Sequence, residues 1–409
     1  MFKGAVLRYL ISDGLSLIGN AIAGVVLPLV LLARTGDVMA AGSLALICAV
    51  PQFVCGVLGG ALLDRMNRRT VCIVSDLISA LGCMMLPVID EIWGLSFGWF
   101  VLCGLIGAVG DVPGMSARDA LLPAVGERQG ADLQRFVGAS QSLGAFVNIL
   151  GPAAAALLMG ALGDVDTLWV TAGFSLAAAL VTATLPKSVG EVGHAAPESE
   201  TPAEPALSLL AGAKRVLTDG LSALFATDSL LRASVLFSFG ISMVMGSWQG
   251  IVLPAYFTEM GRPELVGYVV SAMGAGLLAG SLGYTAFARA MRRRTWLVVS
   301  LIGMALGISV LGCFPDLPFL MGAAAVLGLF AGPASALMGF FAYDRVPEDR
   351  RGSAMGTLNA LFLVVAPGGA FLGSVLVGIL QLSGAGLALV GIWLVVTVLA
   401  LVAPALRKL

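Results

Sequence analysis

The chain has 409 residues, of which 58% are hydrophobic and only 11% charged, too little charge to cover a soluble domain of that size. Its net charge of −1 offers no field to nucleic acid. A nucleotide-phosphate loop, Gly-x-Ser-x-Gly and His-Glu-x-x-His are all absent, and the one histidine, His194, lies in a polar stretch, so ATP-driven transport, intramembrane catalysis, a metal site and a cofactor are not expected.

Twelve apolar stretches account for most of the chain, at 5–33, 38–62, 70–89, 92–115, 133–160, 166–186, 229–256, 265–288, 295–314, 317–341, 353–381 and 385–405. Each approaches the roughly 20 residues that cross about 30 Å of hydrocarbon. Among the lysines and arginines only Arg34 and Arg262 fall on odd-numbered connections. Basic residues beside spanning helices stay cytoplasmic, so both termini, the central linker and every even-numbered loop are expected inside. The first stretch carries Asp13 and Asn20 and lacks a small-residue cleavage site, which predicts a retained helix and no signal peptide. The cysteines lie in apolar segments without a Cys-x-x-Cys pair and read as free thiols packed as small hydrophobes.

Helix 1 presents Asp13, Ser16 and Asn20 on one face at i, i+3, i+7 spacing. Helix 2 carries Gln52 between Cys48 and Cys55, then Gly56-x-x-x-Gly60. Asp76 lies on helix 3 and Asp111 on helix 4, with Arg118 at that helix's cytoplasmic end. Gln141, Asn148 and the pair Gly151-Pro152 follow on helix 5. Intramembrane carboxylates are costly and point to function. Taking Arg118 as the end of helix 4, Asp13, Asp76 and Asp111 sit some 9 to 12 Å inside the cytoplasmic ends of their helices, within reach of Arg8, Arg69 or Arg118. Asp13 or Asp111 is the candidate proton carrier, an inner salt-bridge gate is the alternative for both, and Asp76 reads as structural.

Residues 187–206 are rich in Pro and Glu and cannot build a core. They divide the chain into an N-terminal bundle (1–186), a cytoplasmic linker (187–228) and a C-terminal bundle (229–409). Within the linker, apolar residues recur at helical spacing over 207–225, suiting a helix on the inner membrane surface or against the protein's own inner face. On helix 7, Ser238, Ser242, Met245, Trp248 and Gln249 share a face, and Asn359 lies on helix 11. With Asn20, Gln52, Gln141 and Asn148 these are the candidate substrate-cavity residues, though Ser and Gln inside a bundle also serve as interhelical glue. The halves echo one another: Gly276-x-x-x-Gly280 repeats Gly56-x-x-x-Gly60, and Ala366-Pro367 repeats Gly151-Pro152, the pattern of parallel repeats with a site between them.

The segment Gly60-Ala-Leu-Leu-Asp64-Arg65-Met-Asn67-Arg68-Arg69 resembles the G-x-x-x-D-R-x-G-R-R/K signature of the major facilitator superfamily. Asn67 replaces the usual glycine and tolerates a left-handed backbone better than most residues. The resemblance implies an all-α membrane protein of twelve transmembrane helices in two pseudo-symmetric six-helix bundles, with helix 1 lining the cavity. It also implies a cytoplasmic gate in which this loop, with Arg118, meets the start of helix 11; topology alone is the other reading of its arginines. Ser16-Leu-Ile-Gly19-Asn20, Thr35-Gly36, Leu122-Pro123-Ala124-Val125 and Gly151-Pro152 are similar to the branch of macrolide-efflux and enterobactin exporters among drug:proton antiporters. Asn20 stands where that branch often has aspartate, and of the helix 5 antiporter pattern only Gly151-Pro152 remains.

Together these readings predict a gradient-driven, monomeric secondary transporter of the bacterial inner membrane. It would export an amphipathic, drug-like molecule in exchange for protons. A siderophore or lysolipid exporter, an importer of the same fold, and a non-transporting receptor or scaffold are the alternatives.

Overall fold

The computed structural model describes residues 4–63, 66–130, 133–191, 214, 217–226, 228–287, 291–346 and 351–402. Each of the twelve apolar stretches folds as helix, numbered here in chain order: α1 (Ala5–Thr35), α2 (Val38–Leu63), α3 (Arg68–Trp93), α4 (Phe97–Arg128), α5 (Leu133–Leu162), α6 (Thr167–Ala183), α7 (Ser229–Glu259), α8 (Leu265–Phe287), α9 (Arg293–Gly312) and α10 (Leu317–Arg345). The helical run Arg351–Val402 breaks at Gln381, whose backbone turns left-handed (φ 59°), giving α11 (351–380) and α12 (382–402). Large apolar side chains such as Leu180, Phe319, Leu306 and Ile379 are exposed, which suits a lipid surface and no aqueous one.

Helices of the same half pack together: α3 on α4 and α6, α1 on α5 and α6, α8 and α9 on α10. The halves meet mainly where α2 lies on α11 and α5 on α8. At these seams glycine replaces side chains. A Cβ on Gly42 would fall 3.1 Å from the Phe371 Cα, and one on Gly267 would run into the carbonyl of Pro152. Such close approach lets backbones touch where lipid gives no hydrophobic drive to associate. Both contacts lie near the starts of α2 and α8, at the end of the molecule away from the chain termini.

Two helices depart from the sequence expectation. The expected fourth span, 92–115, stops short because Arg118, Asp119 and Arg128 look like an aqueous end, whereas α4 runs on to Arg128. Its charged turn is accommodated because Arg118 is buried against a carboxylate. Asp111 therefore lies about 21 Å from the start of α4 and about 26 Å from its end, near mid-helix and deeper than the sequence spans placed it. In α7 a π-helical turn, Trp248–Val252, widens the helix and rotates the residues beyond it, a distortion common at functional positions. Of the amphipathic linker stretch, residues 217–225 form a helix. Ala223 and Leu224 are buried there with Leu231, Val235, Val346 and Ala354. The helix thus packs on the C-terminal half, against the start of α7 and the end of α10. Residues 207–213 lie outside the described residues.

Candidate functional site

Charge is concentrated in the N-terminal half. Arg118 of α4 and Asp76 of α3, 6% and 5% exposed, form an ion pair. Arg118 Nη1 also donates to Ser12 Oγ of α1 (2.9 Å), and Ser16 Oγ of α1 donates to Asp76 Oδ1 (2.9 Å). Ser12 continues to Thr182 of α6 (2.5 Å), and the Tyr9 hydroxyl donates to the carbonyl of Arg118 (3.0 Å). The guanidinium thus ties three helices together, and Ser12 extends the network to a fourth, α6. Asp13, on the same face of α1, is buried and accepts from Ser140 Oγ of α5 (3.1 Å). Of the three arginines within expected reach of the carboxylates, Arg118 pairs with Asp76, while Arg8 and Arg69 donate to the carbonyls of Thr184 (2.8 Å) and Ala183 (2.5 Å).

Asp111 has a different setting. It accepts from Ser79 Oγ of α3 (2.5 Å), and no ion pair reaches it among the described residues. It lines a cavity of about 360 Å³ enclosed by α1–α4, together with Asn20 and Gln52. These polar groups sit near mid-helix. Toward the α1–α2 and α3–α4 connections the walls become apolar, formed by Leu27, Leu44, Leu86 and Phe100. Glycine makes the space: a Cβ on Gly107, one turn before Asp111 on the same face, would meet nothing within 4 Å. Ser79 and Gly107 escaped the sequence reading, although Ser75, Asp76 and Ser79 form a polar run at helical spacing on α3.

The other cavity candidates are scattered. Gln249, within the π turn, lies 4.0 Å from Met273 Sδ and, with Gly24 and Pro28, lines a small space of about 130 Å³ at the α1–α7 seam. Because Gly24 and Pro28 also line the α1–α4 cavity, the two spaces adjoin. Ser238 lines a separate pocket of about 200 Å³ between α7, α10 and α11, where its hydroxyl donates to the carbonyl of Ser234 (2.9 Å). Trp248 is 1% exposed, with its ring 5.8 Å from Phe314 in the core. Met245 is half-buried against the same core, while Gln141, Asn148 and Asn359 are exposed.

In the signature loop, Asp64 and Arg65 lie outside the described residues, and Gly60 falls in the last turn of α2. Asn67 is extended (φ −64°), not left-handed, and caps α3 by accepting from the Thr70 amide (3.3 Å) while its Nδ2 donates to the Lys187 carbonyl (3.1 Å). Asparagine is thus an N-cap here and no substitute for a glycine turn. Arg68 donates to the carbonyl of Ala120 (3.0 Å). In α5, a Cβ on Gly151 would collide with Ala21 of α1, and Pro152 offers its carbonyl to the face of Gly267.

The family model described as Major Facilitator Superfamily matches residues 10–261 and 235–408. The chain is 30% identical over 397 residues to the multidrug efflux pump Tap of Mycolicibacterium fortuitum, covering 96% of this chain and 93% of that protein. It is 25% identical over 371 residues to macrolide efflux protein A of Streptococcus pyogenes, covering 88% and 86%. Among solved structures, the nucleoside transporter NupG superposes with a TM-score of 0.76 at 16% identity over 100% of both chains. A bacterial homologue of the iron transporter ferroportin, in an inward-facing state, gives 0.68 at 16% over 96% and 98%. Two helical halves joined at glycine seams, a buried charge cluster and matches along nearly the whole length agree: the chain belongs to the Major Facilitator Superfamily of membrane transporters.

Proposed function

We propose that this protein is a secondary transporter of the bacterial inner membrane that exports an amphipathic small molecule by alternating access in exchange for protons. The observation that carries the reading is the α1–α4 cavity, which sets Asp111, Asn20 and Gln52 at mid-helix beneath apolar walls. The efflux pumps named above, similar along most of the chain, support it. The halves 1–186 and 229–409 are the moving bodies, joined by 187–228, with both termini cytoplasmic. Asp13 and Asp111 are the proton-carrying candidates, since each is an intramembrane carboxylate without an ion pair among the described residues.

Everted vesicles or proteoliposomes given a pH gradient test this. Accumulation of a fluorescent amphipathic dye is expected to follow the gradient and to fall about tenfold or more in whichever of Asp13→Asn and Asp111→Asn removes the coupling carboxylate. Accumulation indifferent to the gradient overturns the coupling, and full gradient-driven transport by Asp13→Asn clears that residue. A second reading, a lysolipid exporter, draws on an apolar groove of about 480 Å³ between α1 and α5, lined by Leu15, Ile18, Leu143, Phe146 and Leu150. Competition between dye and lysolipid for uptake separates the two.

A further inference from the structure

We infer that the α1–α4 cavity is itself a ligand site, within one half of the molecule, that recognises an organic cation: Asp111 supplies the counter-charge and the apolar chamber takes the hydrocarbon body. This deepens the export reading and rests on it only for the direction of movement.

The argument starts from the difference between two carboxylates. Asp76 is matched by Arg118, so its charge is satisfied within the fold and has nothing left to offer a ligand. Asp111 has one neutral donor, Ser79 at 2.5 Å, and its other surroundings in the cavity are Cys48, Cys83, Gly104, Gly107 and Ala108. An ionised carboxylate at that depth needs a compensating charge. No lysine or arginine lines the cavity among the described residues, so Asp111 is neutralised either by the coupling proton or by a cation that enters with a ligand, the two competing for one carboxylate. The same absence of basic groups leaves an anionic ligand without a clamp.

Shape and polarity narrow the class. About 360 Å³ is within the range that holds a drug-sized molecule. Asn20 and Gln52 line the cavity with amides that make no hydrogen bond among the described residues, free to take a polar substituent beside the charge. Farther out, Leu27, Leu44, Leu86 and Phe100 leave nothing to hydrogen-bond a sugar ring and suit hydrocarbon or aromatic surface. Through Gly24 and Pro28 the cavity adjoins the space beside Gln249 at the α1–α7 seam, a route by which a ligand in one half is sensed by the other.

The test uses the purified full chain in lipid nanodiscs and tetraphenylphosphonium, an apolar cation of permanent charge. Asp111→Asn is expected to weaken binding about thirtyfold or more, as for removal of one member of a buried charge pair, and Asp111→Glu to retain most of it. Gly107→Leu fills open space and is expected to abolish binding with the melting temperature held. Bound probe is also expected to slow alkylation of Cys48, a half-buried cavity thiol, read by peptide mapping. Equal binding by wild type, Asp111→Asn and Gly107→Leu, or unchanged Cys48 reactivity at saturating probe, overturns the proposal. If Asp111→Asn does not fold, Gly107→Leu and Cys48 protection decide. Binding that depends on Asp111 without any flux in vesicles sinks the export reading and leaves this one standing. Flux that ignores Asp111, with no protection of Cys48, does the reverse.

Discussion

The two halves share a fold and divide their chemistry. Among the described residues, every buried charge lies in the N-terminal half, at Asp13, Arg69, Asp76 and Arg118, while the buried polar groups of the C-terminal half are hydroxyls: Ser234, Ser247, Ser300, Thr357, Ser374 and Thr397. The N-terminal half adds a guanidinium tie to glycine contacts such as Gly110 on the Ser75 carbonyl and Gly151 on Ala21, whereas the C-terminal half relies on glycines. In the latter, a Cβ on Gly276 or Gly280 of α8 would strike the backbone of α10, and one on Gly328 the backbone of α8. The lesson is that repeats with one architecture can be held by long-reach electrostatics or by short-reach packing, and that only the first kind leaves a carboxylate to spare for a ligand.

Substitutions that separate the two modes of cohesion sharpen this contrast. The largest effect is expected from Arg118→Met, which leaves Asp76 buried without its partner and costs about 3–5 kcal/mol, seen as a lower melting temperature in detergent. Asp76→Leu combined with Arg118→Met recovers most of the loss, because no charge is then stranded. A single variant that melts like wild type would break the comparison. Next comes Gly280→Leu. Its side chain starts against the Leu329 carbonyl and 3.1 Å from the Leu329 Cα, and overpacking of that kind costs about 1–3 kcal/mol. Wild-type stability there would mean that the C-terminal half is not set by backbone contact. The smallest effect is expected for Ser234→Ala: its hydroxyl donates 2.8 Å to the Leu231 carbonyl of its own helix, a bond worth about 0.6 kcal/mol in membranes. A loss of several kcal/mol would reveal a hydroxyl network as strong as the Arg118 cluster.

Architecture was legible because the bilayer demands it: runs of apolar residues report spans, and the repeat Gly56-x-x-x-Gly60 with Gly276-x-x-x-Gly280 reports the halves. The site was less so. The polar turn around Arg118 looks in sequence like the end of a span, and only the ion pair across to α3 shows how it is buried, which in turn moves Asp111 to mid-helix. No sequence rule announces the π turn at Trp248–Val252, beside which Trp248 packs into the core. Asn67 does not adopt the left-handed backbone expected of it, since its capping bond to Thr70 serves α3 better. Pairings such as Ser79 with Asp111, 32 residues apart, arise from helix rotation, which periodicity constrains weakly.

The glycine seams at Gly42 and Gly267 have a mechanical consequence. Dispersion attraction fades steeply, a gap of only about 0.5–1 Å forfeiting a quarter to a half of it, and a glycine has no side chain that could bend to keep touch. Such a joint behaves like a snap fastener: it is seated or it has let go, with little in between. Packed faces of this kind are bistable instead of elastic, so under the alternating-access proposal the two halves would exchange between a few discrete poses, and a molecule crossing the protein would meet steps and no ramp.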